Sequence, residues 1–103
     1  MAPTSFVQQP RSTGVDISGN VKVLHCQATG SPNPVYQWIK DGQPLSSNTS
    51  SDIALMIPRI QQSDAGDYQC IASNSHGSLL SSAAQIKVAC KSYFCSSLLI
   101  VGM

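Results

Sequence analysis

An all-β fold, with two antiparallel sheets packed face to face in Greek-key order, is predicted by three observations. Cys26 and Cys70 lie 44 positions apart, with the single tryptophan, Trp38, twelve positions after the first and Tyr68 two before the second. In a sandwich, that spacing lets two cysteines bridge the sheets, an indole pack beside the bridge and a tyrosine hydroxyl tie a corner. Short β-prone segments recur between turn signals along most of the chain, and no segment carries an apolar stripe at helical period.

The elements follow in order. Residues 5–10 read as an edge strand ended by Pro10, because proline cannot donate to a ladder. Residues 13–17 form a short second strand, and Ser18-Gly19-Asn20 is a turn. Residues 21–28 are expected as one strand carrying Cys26. Gly30-Ser31-Pro32-Asn33-Pro34 is a rigid loop before the tryptophan strand, residues 35–40, and Asp41-Gly42 is a hairpin signal leading into residues 43–46. A polar connection over residues 46–52 precedes a strand at 53–57. The second cysteine strand runs to Ala72, residues 74–77 turn, and residues 78–88 are expected as a single last strand.

Side-chain alternation supports these assignments. Tyr68, Cys70 and Ala72 share one face of their strand, as do Tyr36 and Trp38, while Leu55 and Ile57 alternate in phase and Ile60 is placed to close the core. One strand departs: counting back from Cys26, Leu24 faces inward, but so does Lys22. Either a bulge shifts the phase, or Lys22 sits at the sandwich end and extends its amine to water. A third alternative is an outward apolar stripe of Val21 and Val23 that meets a partner.

Length and composition narrow the class. The 103 residues suit one domain, expected at 4–89 with a tail at 90–103, and an apolar fraction of 42% argues against disorder. Six Lys/Arg against five acidic residues, all of them Asp, give a net charge of +1, which offers no electrostatic case for nucleic acid or an anionic membrane. Four cysteines in a small chain suggest an oxidising compartment and allow three pairings. Met1-Ala2-Pro3-Thr4-Ser5 has neither the basic nor the apolar region of a signal peptide, so an exported fate implies a longer parent protein. Leu98-Leu99-Ile100-Val101 is apolar but far short of the roughly 20 residues of a membrane helix.

No catalytic constellation is expected. His25 and His76 fall on an outer strand face and in a hairpin turn, and Cys90-x4-Cys95 lacks the second half of a zinc site. No serine sits in a Gly-x-Ser-x-Gly elbow and no glycine-rich phosphate loop is present. No cofactor or metal is expected. Asn48-Thr49-Ser50 is an N-glycosylation sequon in the polar connection.

Two longer stretches carry a family resemblance. Gly30-Ser31-Pro32-Asn33-Pro34…Trp38-Ile39-Lys40-Asp41-Gly42 and Leu55-Met56-Ile57…Asp64-Ala65-Gly66-Asp67-Tyr68-Gln69-Cys70-Ile71-Ala72-Ser73-Asn74-Ser75-His76-Gly77 resemble the intermediate-set (C2-like) immunoglobulin domains of cell-adhesion molecules and receptor ectodomains. The resemblance implies a Cys26–Cys70 disulfide, which leaves Cys90 and Cys95 as a second pair, as free thiols or as links between chains. It implies that Asp64 holds the corner, with Arg59 a partner for it, and that Tyr68 donates its hydroxyl to a backbone carbonyl upstream. Gly66 is expected to serve the backbone turn. The implied role is protein–protein contact with another immunoglobulin-like domain, homophilic or heterophilic, at the cell surface or outside the cell. Similar domains occur in cytosolic muscle filaments, and the tail is also compatible with a truncated soluble isoform acting as a decoy. The loop at 31–34, the turn at 73–77 and a face bearing Gln37, Ile39 and Gln69 are the candidate contact surfaces.

Overall fold

The computed structural model describes residues 4–45 and 49–90. Among the described residues ten strands are present: β1 (Ser5–Gln8), β2 (Val15–Ile17), β3 (Lys22–His25), β4 (Gln27–Thr29), β5 (Val35–Lys40), β6 (Gln43–Pro44), β7 (Ala54–Ile57), β8 (Gly66–Asn74), β9 (Gly77–Leu80) and β10 (Ala84–Ala89), with one 3-10 turn at Gln62–Asp64. One layer is built from β1 paired with β4 and β3 paired with β7; the other has the order β2-β10-β8-β5-β6, with β9 also on β8.

Residues with the expected inward phase form most of the core, and Ala84 and Ile86 of β10 join them. Leu24, Cys26, Tyr36, Trp38, Ile60, Tyr68, Cys70, Ala72, Ala84 and Ile86 are buried, with Phe6, Leu55, Ile57 and Val88 packed against them. Trp38 lies opposite Cys70 in the β5–β8 register, and Cys70 is joined to Cys26 across the layers with a Cα–Cα distance of 6.5 Å. That separation is within the ordinary range for a disulfide.

The strand expected over residues 21–28 is interrupted at Cys26. Before it, β3 pairs with β7; after it, β4 pairs with β1. Cys26 N–H continues the β3–β7 register by one more bond, donating to Ile53 O at 2.7 Å, before the chain changes neighbour. The single last strand expected over residues 78–88 is likewise two strands, separated where Ser81 folds inward. Its hydroxyl accepts from Cys70 N–H at 2.9 Å and its own N–H donates to Cys70 O at 2.9 Å, so a side chain replaces one rung. The expected antiparallel order has one exception. β2 runs parallel to β10, with Val15, Asp16 and Ile17 opposite Lys87, Val88 and Ala89.

Lys22 is settled without a bulge. The β3–β7 register is continuous from Lys22↔Ile57 to His25↔Ala54, so Lys22 does face inward. It is also not extended to water: its side chain is 11% exposed, its amine lies 3.4 Å from Asp16 Oδ2 and it donates to Thr13 Oγ1 at 2.6 Å. The ammonium is tolerated at an inward position because β2 delivers a carboxylate to it and the segment before β2 a hydroxyl. Val21 and Val23 do lie outward and exposed, and Met56, also exposed, is opposite Val23.

Two stability outcomes are expected from this packing. Trp38→Ala should cost about 3–5 kcal/mol, read as a shift in the denaturant midpoint. Asp16→Leu should cost about 1–3 kcal/mol because it leaves the Lys22 ammonium half-desolvated and unpaired. The double change Asp16→Leu with Lys22→Met should recover most of that loss in the same urea titration.

Candidate interaction surface

The residues expected to define the site divide into a frame and a surface. In the frame, the corner is formed by the 3-10 turn entering β8. Asp64 Oδ2 accepts from Gln61 N–H at 2.8 Å, closing the turn on itself. Tyr68 OH donates to Asp64 O at 2.6 Å, four residues upstream. No ion pair joins Arg59 to Asp64 among the described residues; the carboxylate is held by a backbone amide instead.

Gly66 has φ +152°, and a Cβ built there meets Asp41 Oδ2 at 2.6 Å. Glycine is needed both for the conformation and for the approach of that carboxylate. Asp41 repays the approach by accepting from Asp67 N–H at 2.9 Å, while its own N–H donates to Asp67 O at 2.8 Å. Thus the Asp41-Gly42 hairpin is locked onto the start of β8. Lys40 adds a bond from its amine to Ser63 O and lies 6.0 Å from the Tyr68 ring centroid.

The structure adds a second tyrosine strap at a position legible in the sequence only as a core residue. Tyr36 OH accepts from Ala28 N–H at 3.0 Å and donates to Ala28 O at 3.3 Å, joining β5 to β4 across the interior. The signal was present in the inward phase of Tyr36, since a buried phenol requires a polar partner, but the partner lay in a strand whose break was not legible.

At one end of the sandwich, the two candidate loops are tied together. Asn74 Nδ2 donates to Pro32 O at 3.1 Å, and a Cβ on Gly30 would lie 2.8 Å from that same nitrogen. The 31–34 loop and the turn after β8 therefore form one joined edge. His76 sits on that turn, exposed, with its N–H donating to Asn74 Oδ1 at 2.9 Å. His25 is exposed on the outer face of β3.

The outer face of β5, β8 and β9 is the broadest candidate surface. Val35 stands opposite Ser73, Gln37 opposite Ile71, Ile39 opposite Gln69, and Ile71 opposite Leu80. Gln37, Ile39 and Gln69 are half-buried rather than fully exposed. Gln69 is held by a bond from its amide to Ser81 O at 2.8 Å. Leu80 is 57% exposed and Val35 36%. No charged residue occupies the centre of this face; Asp67 and Lys87, both exposed, lie toward its margin.

Asn48 of the sequon and Cys95 of the expected second bridge lie outside the described residues, as do all residues of the tail beyond Cys90. Cys90 is half-buried, with Gln62 Nε2 3.2 Å from its sulfur. Among the described residues, no cluster of three or more His, Cys or Asp side chains has metal-binding geometry, and no helix is long and apolar enough to cross a membrane.

Burial, and then the carboxylates of Asp64 and Asp41, push the Tyr68 phenol above its ordinary value. The folded state therefore holds this proton more tightly than the unfolded chain. Its contribution to stability is complete below about pH 10, the ordinary phenol value, and is lost as pH rises through the higher folded value. Wild-type stability should fall more steeply above about pH 10 than that of Tyr68→Phe, as read by urea midpoints across an alkaline series. Tyr36→Phe, which strands Ala28 N–H, should cost about 1–3 kcal/mol at neutral pH.

Comparison with known proteins agrees with this geometry. The family model described as immunoglobulin domain matches residues 3–74. Protein sidekick of Drosophila melanogaster is 41% identical over 85 residues, covering 82% of this chain and 4% of the relative. Contactin-5 of Danio rerio is 45% identical over 69 residues, covering 64% of this chain and 6% of the relative. The chain thus spans a small fraction of the length of these relatives. Among solved structures, the sidekick-1 immunoglobulin domains 1–5 superpose with a TM-score of 0.80 at 34% identity, covering 85% of this chain and 18% of that one. A titin M10–obscurin-like 1 immunoglobulin complex superposes with a TM-score of 0.76 at 29% identity, covering 89% and 99%. The matched family, the bridged cysteines and the tyrosine corner agree, and the chain belongs to the immunoglobulin domain family.

Proposed function

We propose that this chain is an extracellular protein-interaction module of the cell-adhesion or receptor type, acting by binding rather than by catalysis, with another immunoglobulin-like domain as its partner. The observation that carries the reading is the outer face of β5, β8 and β9. It has an uncharged centre of Val35, Gln37, Ile39, Gln69, Ile71 and Leu80 and charges at its margin. Apolar area at the centre with polar groups at the rim is the usual anatomy of a protein interface. Flat pairing of two such faces brings no buried unpaired charge, which is the main obstacle to docking sheet against sheet. The identity with sidekick and contactin-5 supports the adhesion class and a cell-surface setting. A glycan on Asn48 and a Cys90–Cys95 bridge belong to the same reading.

The titin and obscurin-like match supports a second reading, a cytosolic structural module of a filament. The two differ in redox setting. Closing a loop of the Cys26–Cys70 size removes unfolded-state entropy equivalent to about 4 kcal/mol, so an exported form depends on the bridge and a cytosolic form must fold without it.

Two measurements test the proposal. Intact mass of protein from a eukaryotic secretory host, with and without reduction and alkylation, should show bridged cysteines and a glycan at Asn48. Well-folded native material with Cys26 and Cys70 free would favour the filament reading. Beads coated with the chain should either adhere to one another or bind a member of a panel of immunoglobulin-type ectodomains. Ile71→Asp with Leu80→Asp should weaken that binding by about tenfold or more, with the thermal midpoint little changed. Undiminished binding in the double variant would move the contact off this face.

A further inference from the structure

β7 lies at the edge of its layer. Its strand neighbour among the described residues is β3, in a register that runs without a break from Lys22↔Ile57 to His25↔Ala54. The bond from Cys26 N–H to Ile53 O fixes the phase of that ladder. In an antiparallel pair, opposite residues alternate between those that exchange backbone bonds and those that do not. Cys26 and Ile53 are a bonded pair, so Leu55 and Ile57 also turn their backbone groups toward β3. Ala54 and Met56 turn theirs the other way, to the open side of the strand. Such an edge is a template for another strand, and proteins commonly blunt it with a charge, a proline or a bulge. Ala54-Leu55-Met56-Ile57 has none of these, whereas β6, at the rim of the other layer, contains Pro44.

The edge also complements itself. Asp52 lies just before the strand and Arg59 just after it, and both are exposed. When two such strands run antiparallel about a two-fold axis, the Asp52 end of each meets the Arg59 end of the other. The register that engages both outward residues within β7 sets Ala54 opposite Met56 of the second copy. Each pair then exchanges both of its backbone bonds. A small side chain faces a long one on the outer surface, where Met56 is 61% exposed, and Val23, opposite Met56 in β3, extends the apolar row. Cross-strand pairs of this kind are the unit of sheet stabilisation.

We propose that β7 pairs edge to edge with β7 of a second copy of this chain, joining the two β3–β7 ladders into one continuous sheet across a two-fold axis. The edge is short, so the pairing is weak and grows with concentration. The face of β5, β8 and β9 belongs to the other layer and plays no part in it.

The test is sedimentation equilibrium of the full chain up to about 1 mM, with Asn48→Gln throughout so that no glycan enters the readout. A monomer–dimer equilibrium is expected. Asp52→Arg and Arg59→Asp should each weaken it by about tenfold, because each sets like charges together at both ends of the edge. An equimolar mixture of these two variants should associate again, since every Arg then meets an Asp. Met56→Pro, which removes an outward N–H and no bond to β3, should weaken the dimer by about tenfold or more. The amide NMR signals of Trp38 and Cys70 report that each variant is folded, and the charge pair decides the matter if Met56→Pro is not. Ile71→Asp with Leu80→Asp should leave the dimer intact, so this edge and the β5–β8–β9 face fail or stand separately. A monomer throughout the range would overturn the proposal. So would a dimer indifferent to both charge changes, or a mixture no more associated than its parts.

Discussion

The bond between Cys26 and Cys70 sets the separation of the two layers, and much else in the molecule answers to it. Cys26 points across the interior, and its backbone amide, bonded to Ile53 O, is the last to follow the β3–β7 register. The strand divides there, with each half taking a different neighbour. On the other side, Cys70 is framed by Ser81, whose hydroxyl and amide take both of its backbone groups, and β9 separates from β10 at the same level. Both interruptions thus flank the same crosslink. Trp38, opposite Cys70, fills the volume that the bridge leaves between the sheets.

Two tyrosines secure what the bridge alone cannot. The crosslink is a single point, and two sheets joined at one point can still rotate and slide. Tyr36 binds β4 from β5 on one side of it, and Tyr68 ties β8 to the corner on the other. Each phenol brings a large apolar body together with a hydroxyl that meets a backbone partner, so each contributes packing and orientation together. Asp41 and Gly66 extend the corner by seating one hairpin against the start of the cysteine strand.

The parts legible in the sequence were those governed by residue type at fixed spacing. The inward phase of Tyr36, Trp38, Tyr68, Cys70 and Ala72 follows from alternation along a strand, which is local. The need for glycine at position 66 was legible as a turn; that a carboxylate from Asp41 takes the vacant Cβ space was not, because the approach is tertiary. Lys22 was ambiguous for the same reason. Alternation put it inside, chemistry put it outside, and only the arrival of Asp16 and Thr13 from β2 and the segment before it reconciles the two. The breaks at Cys26 and Ser81 were illegible because no proline or glycine marks them. At Ser81 a side-chain hydroxyl replaces a rung, and at Cys26 the strand exchanges β7 for β1 as its neighbour. The uncharged outer face was visible as a paucity of charge, but its extent depended on β9 joining β8.

The parallel pairing of β2 with β10 has a consequence for how the molecule is made. Val15 finds its partner Lys87 only 72 positions later, and the crossing segment before β2 is pinned by equally distant bonds, from Ser82 N–H to Gln9 Oε1 and from Gln85 N–H to Ser12 Oγ. At roughly 5–20 residues per second of synthesis, the amino-terminal segment waits for several seconds before its partner strand exists. During that interval Val15 and Ile17 lie on an unpaired edge, the kind of surface on which nascent chains associate wrongly. Among the described strands the last to emerge is the partner of β2, so this domain cannot complete its fold from the front.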